Sequence, residues 1–474
     1  MIRYNRQTDQ PKKIAKTENS SVYRSRLDGN TVIIKKYISK DFVVALDQVL
    51  KEVNILLKIK HIGITSLLEI WPDDHLPTLV LEYGGQNLWD FSNTRSPHLR
   101  MLQFGEIFAQ SFQALDYLHK NNIIHRDLKA TNILIQMNDT LIPPKPIVKI
   151  CDFGLARRMN GIMTPHTCTP NYRAPELLSG IYEEFDSTYS EKIDMWSMAC
   201  VIYEYLTHDI LFRGDSDIEL WRKVMDCIPA QDSPYKFLPI PKGNWTPINK
   251  AFDKKYYGLD LFKGLLPMKN MTKQLLSLNP KDRPSSDECL IIINNTFGLS
   301  YKPSTDIIQP PRFLVRKTTR VDLNIRHVVV SNMISMENYY EVSRSTISLA
   351  VDIFDKWLMI TDGNDDLILH SLAAAVLASY SSLTILEPVE FASTYTEADV
   401  ISAVKSLFKA LDYNLEFMDM WSLMLDTAKT NGLPVTEDHL DLYWYRVCEL
   451  LLDYDLMFAK SQDEIRIVLD TIIV

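Results

Sequence analysis

The sequence contains no long apolar segment. No run of apolar residues approaches the roughly 20 that a membrane-spanning helix requires, and the opening stretch at 1–6 does not lead into a signal-peptide core. The six cysteines form no close pair at metal-ligand spacing, and reduced thiols are typical of an intracellular compartment. We therefore expect a protein of the cytoplasm or nucleus that neither enters a membrane nor is exported.

The sequence also lacks the excess of positive charge that would favour binding to nucleic acid. The net charge of −9 argues against general affinity for nucleic acid, whose phosphates repel an acidic protein. What the chain does have is length and apolar content, with 474 residues of which 46% are hydrophobic. That is sufficient for two or three globular units, each able to bury its own core.

The most informative stretch is 123–135, which reads Ile-Ile-His-Arg-Asp-Leu-Lys-Ala-Thr-Asn-Ile-Leu-Ile. It places the carboxylate of Asp127, the ammonium of Lys129 and the amide of Asn132 between apolar runs that would anchor them to a core. Polar groups at these offsets are typical of a phosphoryl-transfer loop. An ordinary charged turn between two strands is the alternative, and motifs elsewhere in the chain argue against it.

Two further motifs follow at informative distances. Asp-Phe-Gly at 152–154 ends an apolar run, and its carboxylate lies 25 residues after Asp127 (152 − 127). Ala-Pro-Glu comes next, at 174–176. Glu176 would need a buried cationic partner, for which Arg283 is the obvious candidate.

A lysine and a glutamate nearer the N-terminus complete the pattern. Lys35 ends the strand-like run Val-Ile-Ile-Lys at 32–35, and Glu52 lies inside a helical pattern of apolar residues at 46–57. Taken alone, both would be interpreted as solvated surface charges. In register with the other motifs, they are predicted to form an ion pair.

Together these motifs give residues 13–297 a resemblance to protein kinases of the cyclin-dependent family. The resemblance extends to Asp-Phe-Gly-Leu-Ala-Arg at 152–157, Tyr-Arg-Ala-Pro-Glu at 172–176, Asp-Met-Trp-Ser at 194–197 and Leu-Phe-Arg-Gly-Asp-Ser at 211–216. It implies an α+β bilobal kinase fold, with a small β-rich N-lobe and a mostly helical C-lobe. It also implies transfer of the γ-phosphoryl group of ATP to protein hydroxyls.

The resemblance implies a role for each matching residue. Asp127 would accept the proton of the attacking hydroxyl, and Lys129 would neutralise charge on the phosphoryl group. Asn132 and Asp152 would hold Mg²⁺. Structural roles would fall to Glu176, Arg283 and Asp194. The residues that would bind ATP are Ile14, Val22, Lys35, Glu52, Leu81, Glu82, Gly84 and Leu134.

The loop that would cover the phosphates departs from the family. Residues 14–23 read Ile-Ala-Lys-Thr-Glu-Asn-Ser-Ser-Val-Tyr, without the glycines that the family uses there. Glycine lets backbone amides approach phosphates closely, so we expect ATP to be held less tightly. Ile33 stands where most kinases place an alanine against the adenine ring. The retained catalytic residues favour a weakened but working ATP site.

The family orders its activation segment by phosphorylating a threonine, which basic side chains then clamp. In this chain the threonine is Thr164, and the basic residues are Lys51, Arg126 and Arg157. Lys51 departs from the usual arginine and lacks its bidentate fork. An unmodified Thr164 is the alternative.

Two features bear on the substrate. Lys129, together with Thr169 ahead of the Ala-Pro-Glu motif, indicates serine or threonine rather than tyrosine as the phosphorylated residue. In related kinases, an arginine at the position of Arg173 helps to shape a pocket for proline after that residue. Proline-directed specificity towards protein substrates is therefore a hypothesis.

The composition and the periodicity of apolar residues change after the kinase-like region. We assign 1–298 to the kinase-like domain and 299–324, with its prolines and scattered basic residues, to a linker. At 325–415 the apolar residues follow a helical period. The final stretch, 416–474, is assigned to a partial second helical lobe.

The region after the linker resembles a cyclin box, an all-α domain. Arg326 and Asp355 match the pair that braces the first helices of a cyclin. Tyr380 and Val404 stand where cyclins carry the lysine and the glutamate that grip the regulatory helix of their kinase. Apolar contacts would have to replace that grip.

A cyclin-like unit on the same chain as a cyclin-dependent-type kinase suggests activation in cis. Cyclins press the helix that carries Glu52 inward until it meets Lys35, and a linker of about 25 residues reaches roughly 80 Å if extended. A separate cyclin or kinase in trans is another candidate partner. These features suggest a role in the cell cycle and the compact genome of a large DNA virus as the source.

An alternative function avoids catalysis altogether. The altered phosphate loop and Ile33 are also compatible with a pseudokinase scaffold, or a decoy that binds cyclins or cyclin-dependent kinases.

Overall fold

A computed structural model describes most of the kinase-like region and part of the region after it. The described residues are 10–16, 20–38, 48–49, 52–53, 55–71, 77–138, 140–141, 144–158, 169–178, 190–229, 243–253, 265–305, 326, 329–334, 336, 342–360, 370, 373–376, 378, 397–411, 424–425, 447 and 451.

The N-terminal lobe is built on an antiparallel sheet with strand order β1-β2-β3-β5-β4. Asp28 and Gly29, both with positive φ (50° and 82°), form the turn between β2 and β3, as expected of an Asp-Gly hairpin. One helix, α1, accompanies the sheet, and its described residues are 48–49, 52–53 and 55–58. The strands are β1 (Lys12–Lys16), β2 (Ser20–Leu27), β3 (Asn30–Tyr37), β4 (Leu67–Trp71) and β5 (Thr78–Glu82).

The register of this sheet collects the predicted ATP-binding side chains on one face. Lys35 pairs with Val22 on β2 and with Leu79 on β5, while Ile33 pairs with Leu81. Side chains alternate between the two faces of a sheet, and paired residues share a face. These residues therefore form one inner surface.

The C-terminal lobe is mostly helical. Its helices are α2 (Leu88–Asn93), α3 (Pro97–Lys120), α4 (Pro175–Leu178), α5 (Lys192–Thr207), α6 (Asp217–Cys227), α7 (Thr246–Ala251), α8 (Leu265–Leu275) and α9 (Ser286–Phe297). Short strands carry the motif loops, namely β6 (Gln86–Asn87), β7 (Ile123–Ile124), β8 (Ile133–Asn138), β9 (Lys145–Ile150) and β10 (Arg157–Arg158). Within the described residues, no helix is both long enough and apolar enough to cross a membrane.

Local sequence signals set the ends of these helices. Ser96 caps α3 by accepting a hydrogen bond from the backbone N–H of Leu99. Ser285 and Glu288 form a capping box at the start of α9, and Gly298 ends that helix with a φ of 67°. Helix α5 is buried on nearly all sides, which makes it the central support of the lobe.

A buried ion pair ties the Ala-Pro-Glu motif to the end of the lobe. The two terminal nitrogens of Arg283 each donate to one oxygen of Glu176, at 2.7 Å. Arg283 is 1% exposed; it also donates to the carbonyl oxygens of Lys192 and Ser277 and lies 5.1 Å from the ring centre of Trp196. These four hydrogen bonds supply the partners that a buried guanidinium requires.

The region after the kinase-like lobes is helical where it is described. Helices α10 (Arg344–Ile360) and α11 (Glu397–Ala410) are accompanied by helical residues between 326 and 336 and between 370 and 378. Arg326 donates to both carboxylate oxygens of Asp355, at 2.7 and 2.5 Å. Burial raises the pKa of Asp355 to about 6, although Arg326 opposes that rise.

We predict that Arg283→Ala destabilises the protein by about 3–5 kcal/mol, because it removes the guanidinium that bonds to both oxygens of the poorly solvated Glu176. The matched control is Arg213→Ala, which removes an ion pair between side chains that are 71% and 65% exposed and should cost less than about 1 kcal/mol. Chemical denaturation of both variants checks this. Equal losses in the two variants would contradict it.

Candidate active site

The predicted ATP-binding residues lie on two facing parts of the structure. Val22 and Leu81 belong to the inner surface of the sheet, whereas Leu134 lies on β8. Gly84 connects them, since a Cβ atom there would lie 2.7 Å from Leu134 Cδ1. A side chain at this position would have to displace Leu134, so glycine favours the close approach of the connecting segment to β8.

Two other predicted ATP contacts are placed at the rim. Ile14 on β1 is 49% exposed. Glu82 directs its carboxylate to Lys149, at 3.0 Å, and to the backbone N–H of Ser66, at 3.2 Å. Its backbone N–H donates to the carbonyl oxygen of Ser66, at 2.9 Å, so neither that N–H group nor the carboxylate is available to a nucleotide. Positions 17–19 of the phosphate-covering loop lie outside the described residues.

The ammonium of Lys35 lies between two carboxylates. Its Nζ atom is 2.6 Å from Glu52 Oε2 on α1 and 2.9 Å from Asp152 Oδ1. Burial lowers the pKa of Lys35, but Asp152 and Glu52 more than offset this effect and raise it well above its usual value. The nearby ammonium lowers the pKa of Asp152 to about 2, so Lys35 and Asp152 are both charged near neutral pH.

Tyr37 also contacts this cluster. Its hydroxyl donates a hydrogen bond to Glu52 Oε2, and Lys35 Nζ lies 5.3 Å from the centre of its ring. Burial, reinforced by the charge of Glu52, raises the pKa of Tyr37 well above its usual value. The phenol therefore stays protonated and remains a donor.

A second cluster surrounds Asp127. Its Oδ2 atom lies 2.7 Å from Lys129 Nζ, and its Oδ1 atom accepts a hydrogen bond of 2.5 Å from the hydroxyl of Thr169. Lys129 also donates to Thr169, at 3.1 Å. The amide nitrogen of Asn132 donates to the backbone oxygen and to Oδ2 of Asp127, at 2.8 and 3.1 Å. The carboxylate is thus fixed by several donors.

Asp194, at the start of α5, binds the backbone of the loop that carries Asp127. Asp194 accepts from the backbone N–H groups of His125, at 2.8 Å, and Arg126, at 2.9 Å, and lies 3.0 Å from His119 Nε2. Burial raises the pKa of Asp194, but the bonds from His119 and His125 outweigh it and the pKa is lowered. The left-handed backbone of Arg126, with a φ of 68°, is stabilised by this contact.

A second buried carboxyl group lies on α5. Glu204 accepts a hydrogen bond of 2.7 Å from the hydroxyl of Tyr172, and the backbone oxygen of Tyr172 accepts one from Ser197. Burial raises the pKa of Glu204 to about 7. These bonds attach the segment before Ala-Pro-Glu to the same central helix that supports Asp127.

The predicted regulatory residues are only partly described. Arg157 on β10 pairs with Ile124 on β7, next to the catalytic loop that contains Arg126. Thr164 and Lys51 lie outside the described residues, so the predicted phosphate clamp stays a prediction.

The donor set fits the Mg²⁺ that the resemblance implies. Asp152 is ionised, and its side chain is 38% exposed, while Asn132 uses its nitrogen for Asp127 and retains its amide oxygen for a cation. Within the described part of the chain, no group of three or more His, Cys, Asp or Glu residues could hold a metal. Substrate phosphates and water would complete the shell, as is usual for Mg²⁺.

Sequence reasoning did not assign Tyr37, His119 or Glu204 to the site. A signal existed for Tyr37, because it follows Lys35 by two positions on a strand and therefore shares its face. His119 and Glu204 lie on α3 and α5, and no local pattern indicates that they approach the catalytic loop.

Comparisons with known proteins agree with this geometry. Residues 9–292 match the family described as protein kinase domain, and residues 299–416 match the family described as cyclin, N-terminal domain. The chain is 30% identical over 298 residues to cyclin-dependent kinase-like 4 of Homo sapiens, which covers 59% of this chain and 73% of that protein.

Two other relatives are similar over different lengths. Cyclin-dependent kinase-like 2 of Rattus norvegicus is 26% identical over 353 residues, or 72% of this chain and 64% of that protein. A protein of Acanthamoeba polyphaga mimivirus, named as a serine/threonine-protein kinase, is 32% identical over 292 residues, or 58% of this chain and 49% of that protein. The predicted family resemblance and fold class are confirmed. The chain belongs to the protein kinase family, among the cyclin-dependent-kinase-like proteins, and carries a cyclin N-terminal domain after its kinase domain.

Proposed function

We propose that this protein is an active serine/threonine kinase that transfers the γ-phosphoryl group of ATP to protein substrates in the cytoplasm or nucleus. The observation that carries the proposal is the assembled contact of Lys35 with both Glu52 and Asp152, at 2.6 and 2.9 Å. A kinase requires the ion pair between this lysine and this glutamate, here Lys35 and Glu52, before it can transfer phosphate.

The chemistry follows from the second cluster. Asp127 accepts the proton of the substrate hydroxyl. The hydroxyl oxygen forms a bond to the γ-phosphorus of ATP, and the bond from that phosphorus to the oxygen that bridges it to the β-phosphate breaks, so that ADP leaves. Lys129, 2.7 Å from Asp127, is placed to neutralise charge on the transferred group. When bound by Asn132 and Asp152, Mg²⁺ supplies further charge neutralisation.

The cyclin domain is proposed to activate the kinase in cis. Val49 and Val53 on α1 are fully buried, and they belong to the same continuous cluster of buried apolar residues as Val330 and Val404 of the cyclin domain. This continuity supports a docked arrangement in which apolar contacts replace the polar contacts that the lysine and glutamate of other cyclins make with the regulatory helix. We infer that α1 is the element through which the cyclin domain acts on the kinase domain.

A pseudokinase scaffold or a decoy for cyclins or kinases is the second candidate. Two observations favour it, namely the phosphate-covering loop at 14–23 without glycine and Ile33 on the inner surface of the sheet. Both would weaken ATP binding while leaving the protein-binding surfaces intact.

We predict that Asp127→Asn lowers phosphate transfer by about 100- to 10,000-fold, because the amide cannot accept the hydroxyl proton. Mg²⁺-dependent transfer from labelled ATP to a protein substrate measures this effect. Asp209→Asn is the control, since the Asp209 side chain is 65% exposed and should leave the rate unchanged. Wild-type protein with no transfer above that of Asp127→Asn would support the pseudokinase alternative.

We predict a preference of about tenfold or more for peptides with proline after the phosphorylated residue. Arg173 would shape that pocket, and its Nη1 atom donates to Asp217 Oδ1 on α6, at 2.7 Å. Asp217→Ala should therefore reduce the preference, whereas Glu219→Ala on the same helix should preserve it. A peptide array tests both variants, and equal use of proline and alanine peptides by the wild type would remove the hypothesis.

Activation in cis predicts that a single cut in the linker changes the dependence of activity on protein concentration. A protease site inserted at 306–320 leaves the uncut chain fully active at every dilution, because tethering supplies an effective concentration of about millimolar. After cutting, specific activity should fall on dilution. Protease-treated wild type is the control, and undiminished activity of the diluted cut protein would argue against cis activation.

A further inference from the structure

Glu52 has a second donor besides the lysine that kinases use. Lys35 Nζ and the hydroxyl of Tyr37 both bond to Glu52 Oε2. Glu52 is 1% exposed, so water contributes little to its stabilisation and the carboxylate depends on protein donors. Each donor therefore favours the position of α1 in which Glu52 points inward.

Both donors come from one rigid element. Lys35 and Tyr37 are two positions apart on β3 and hence on the same face. The tyrosine ring lies beside the lysine ammonium, with 5.3 Å between Nζ and the ring centre. The strand thus presents a charged donor and a neutral donor to the same carboxylate oxygen.

The two donors differ in what else they do. Lys35 is shared with Asp152, at 2.9 Å, and is expected to contact ATP phosphates when nucleotide is bound. Tyr37 is not among the residues that are expected to contact ATP, and its hydroxyl donates to Glu52. Its hydrogen bond can hold Glu52 while the contacts of Lys35 change.

The cyclin domain gives a reason for the hydrogen bond between Tyr37 and Glu52. Val404, which stands where cyclins carry a gripping glutamate, is apolar and 1% exposed. Apolar burial favours docking of α1 but supplies no directional contact that fixes its rotation. A hydrogen bond to Glu52 from inside the kinase domain supplies that direction.

We propose that Tyr37 is a positioning residue that latches α1 in its active position through the hydrogen bond to Glu52. This inference rests on the proposed kinase activity and adds an internal regulatory element to it. The cyclin domain presses α1 inward by apolar contact, and Tyr37 selects the rotation that presents Glu52 to Lys35.

The test uses Tyr37→Phe in the full chain, because phenylalanine keeps the ring and removes only the hydroxyl. Loss of a hydrogen bond to a carboxylate should lower the ratio of inward to outward α1 about 10-fold or more. We expect faster amide exchange at 48–58, a higher KM for MgATP and a lower kcat. Exchange in α3 should stay unchanged, which shows that the variant is folded.

Two further variants separate a latch from a packing role. Tyr301→Phe makes the same chemical change at a tyrosine in the C-terminal lobe, whose hydroxyl donates to Glu106 at 2.6 Å, and should change neither exchange at 48–58 nor kinetics. In a Glu52→Ala background, Tyr37→Phe should have no additional effect on exchange, because its partner is already absent.

Wild-type exchange at 48–58 in Tyr37→Phe would overturn the latch. So would an equally large effect of Tyr37→Phe in the Glu52→Ala background. Amide exchange can be measured whether or not the protein transfers phosphate. An inactive wild type would therefore refute the proposed activity, while the exchange rates alone would still decide whether Tyr37 holds α1.

Discussion

The position of the Lys35 ammonium between Glu52 and Asp152 is the contact on which the catalytic arrangement depends. Each of the three residues belongs to a different part of the chain, and Lys35 Nζ lies within 2.9 Å of an oxygen of each of the other two. A buried ammonium is tolerated only when such partners are present. The sheet, α1 and the segment after β9 must therefore adopt their active positions together, which gives the site two alternative states rather than a continuum.

The catalytic loop depends on buried polar groups in the same way. Asp194 binds the backbone of the loop, and Glu204 binds Tyr172 near the Ala-Pro-Glu motif. Both carboxyl groups project from α5, the most deeply buried helix of the lobe. Because the core holds α5 rigidly, Asp127 is positioned by the packing of the lobe as well as by its own neighbours in sequence.

The position of α1 connects catalysis to control. The cyclin domain is proposed to hold α1 from outside by apolar contact, and Tyr37 is proposed to hold it from inside by a hydrogen bond. These two effects differ physically, since apolar burial is not directional whereas a hydrogen bond depends on alignment. In the proposed arrangement, the two effects together define one orientation of Glu52.

Several parts of this protein could be derived from the sequence because they depend on short spacings. Asp127, Lys129 and Asn132 lie within six residues of one another, so their motif is local. The helical period of the cyclin region and the alternation of strand β3 are local signals of the same kind. The pairing of Glu176 with Arg283 could be proposed because a buried carboxylate requires a cation, and it is found at 2.7 Å.

Other features depended on which faces of distant elements meet. The second donor to Glu52, the histidine beside Asp194 and the carboxyl group beneath Tyr172 all come from residues whose own sequence context is ordinary. The sequence by itself determined the family and the succession of a kinase and a cyclin domain, and it located the residues that are proposed to be catalytic. Only the tertiary structure decided how those residues are held, because hydrogen bonds between remote elements follow from packing in three dimensions and leave no periodic trace along the chain.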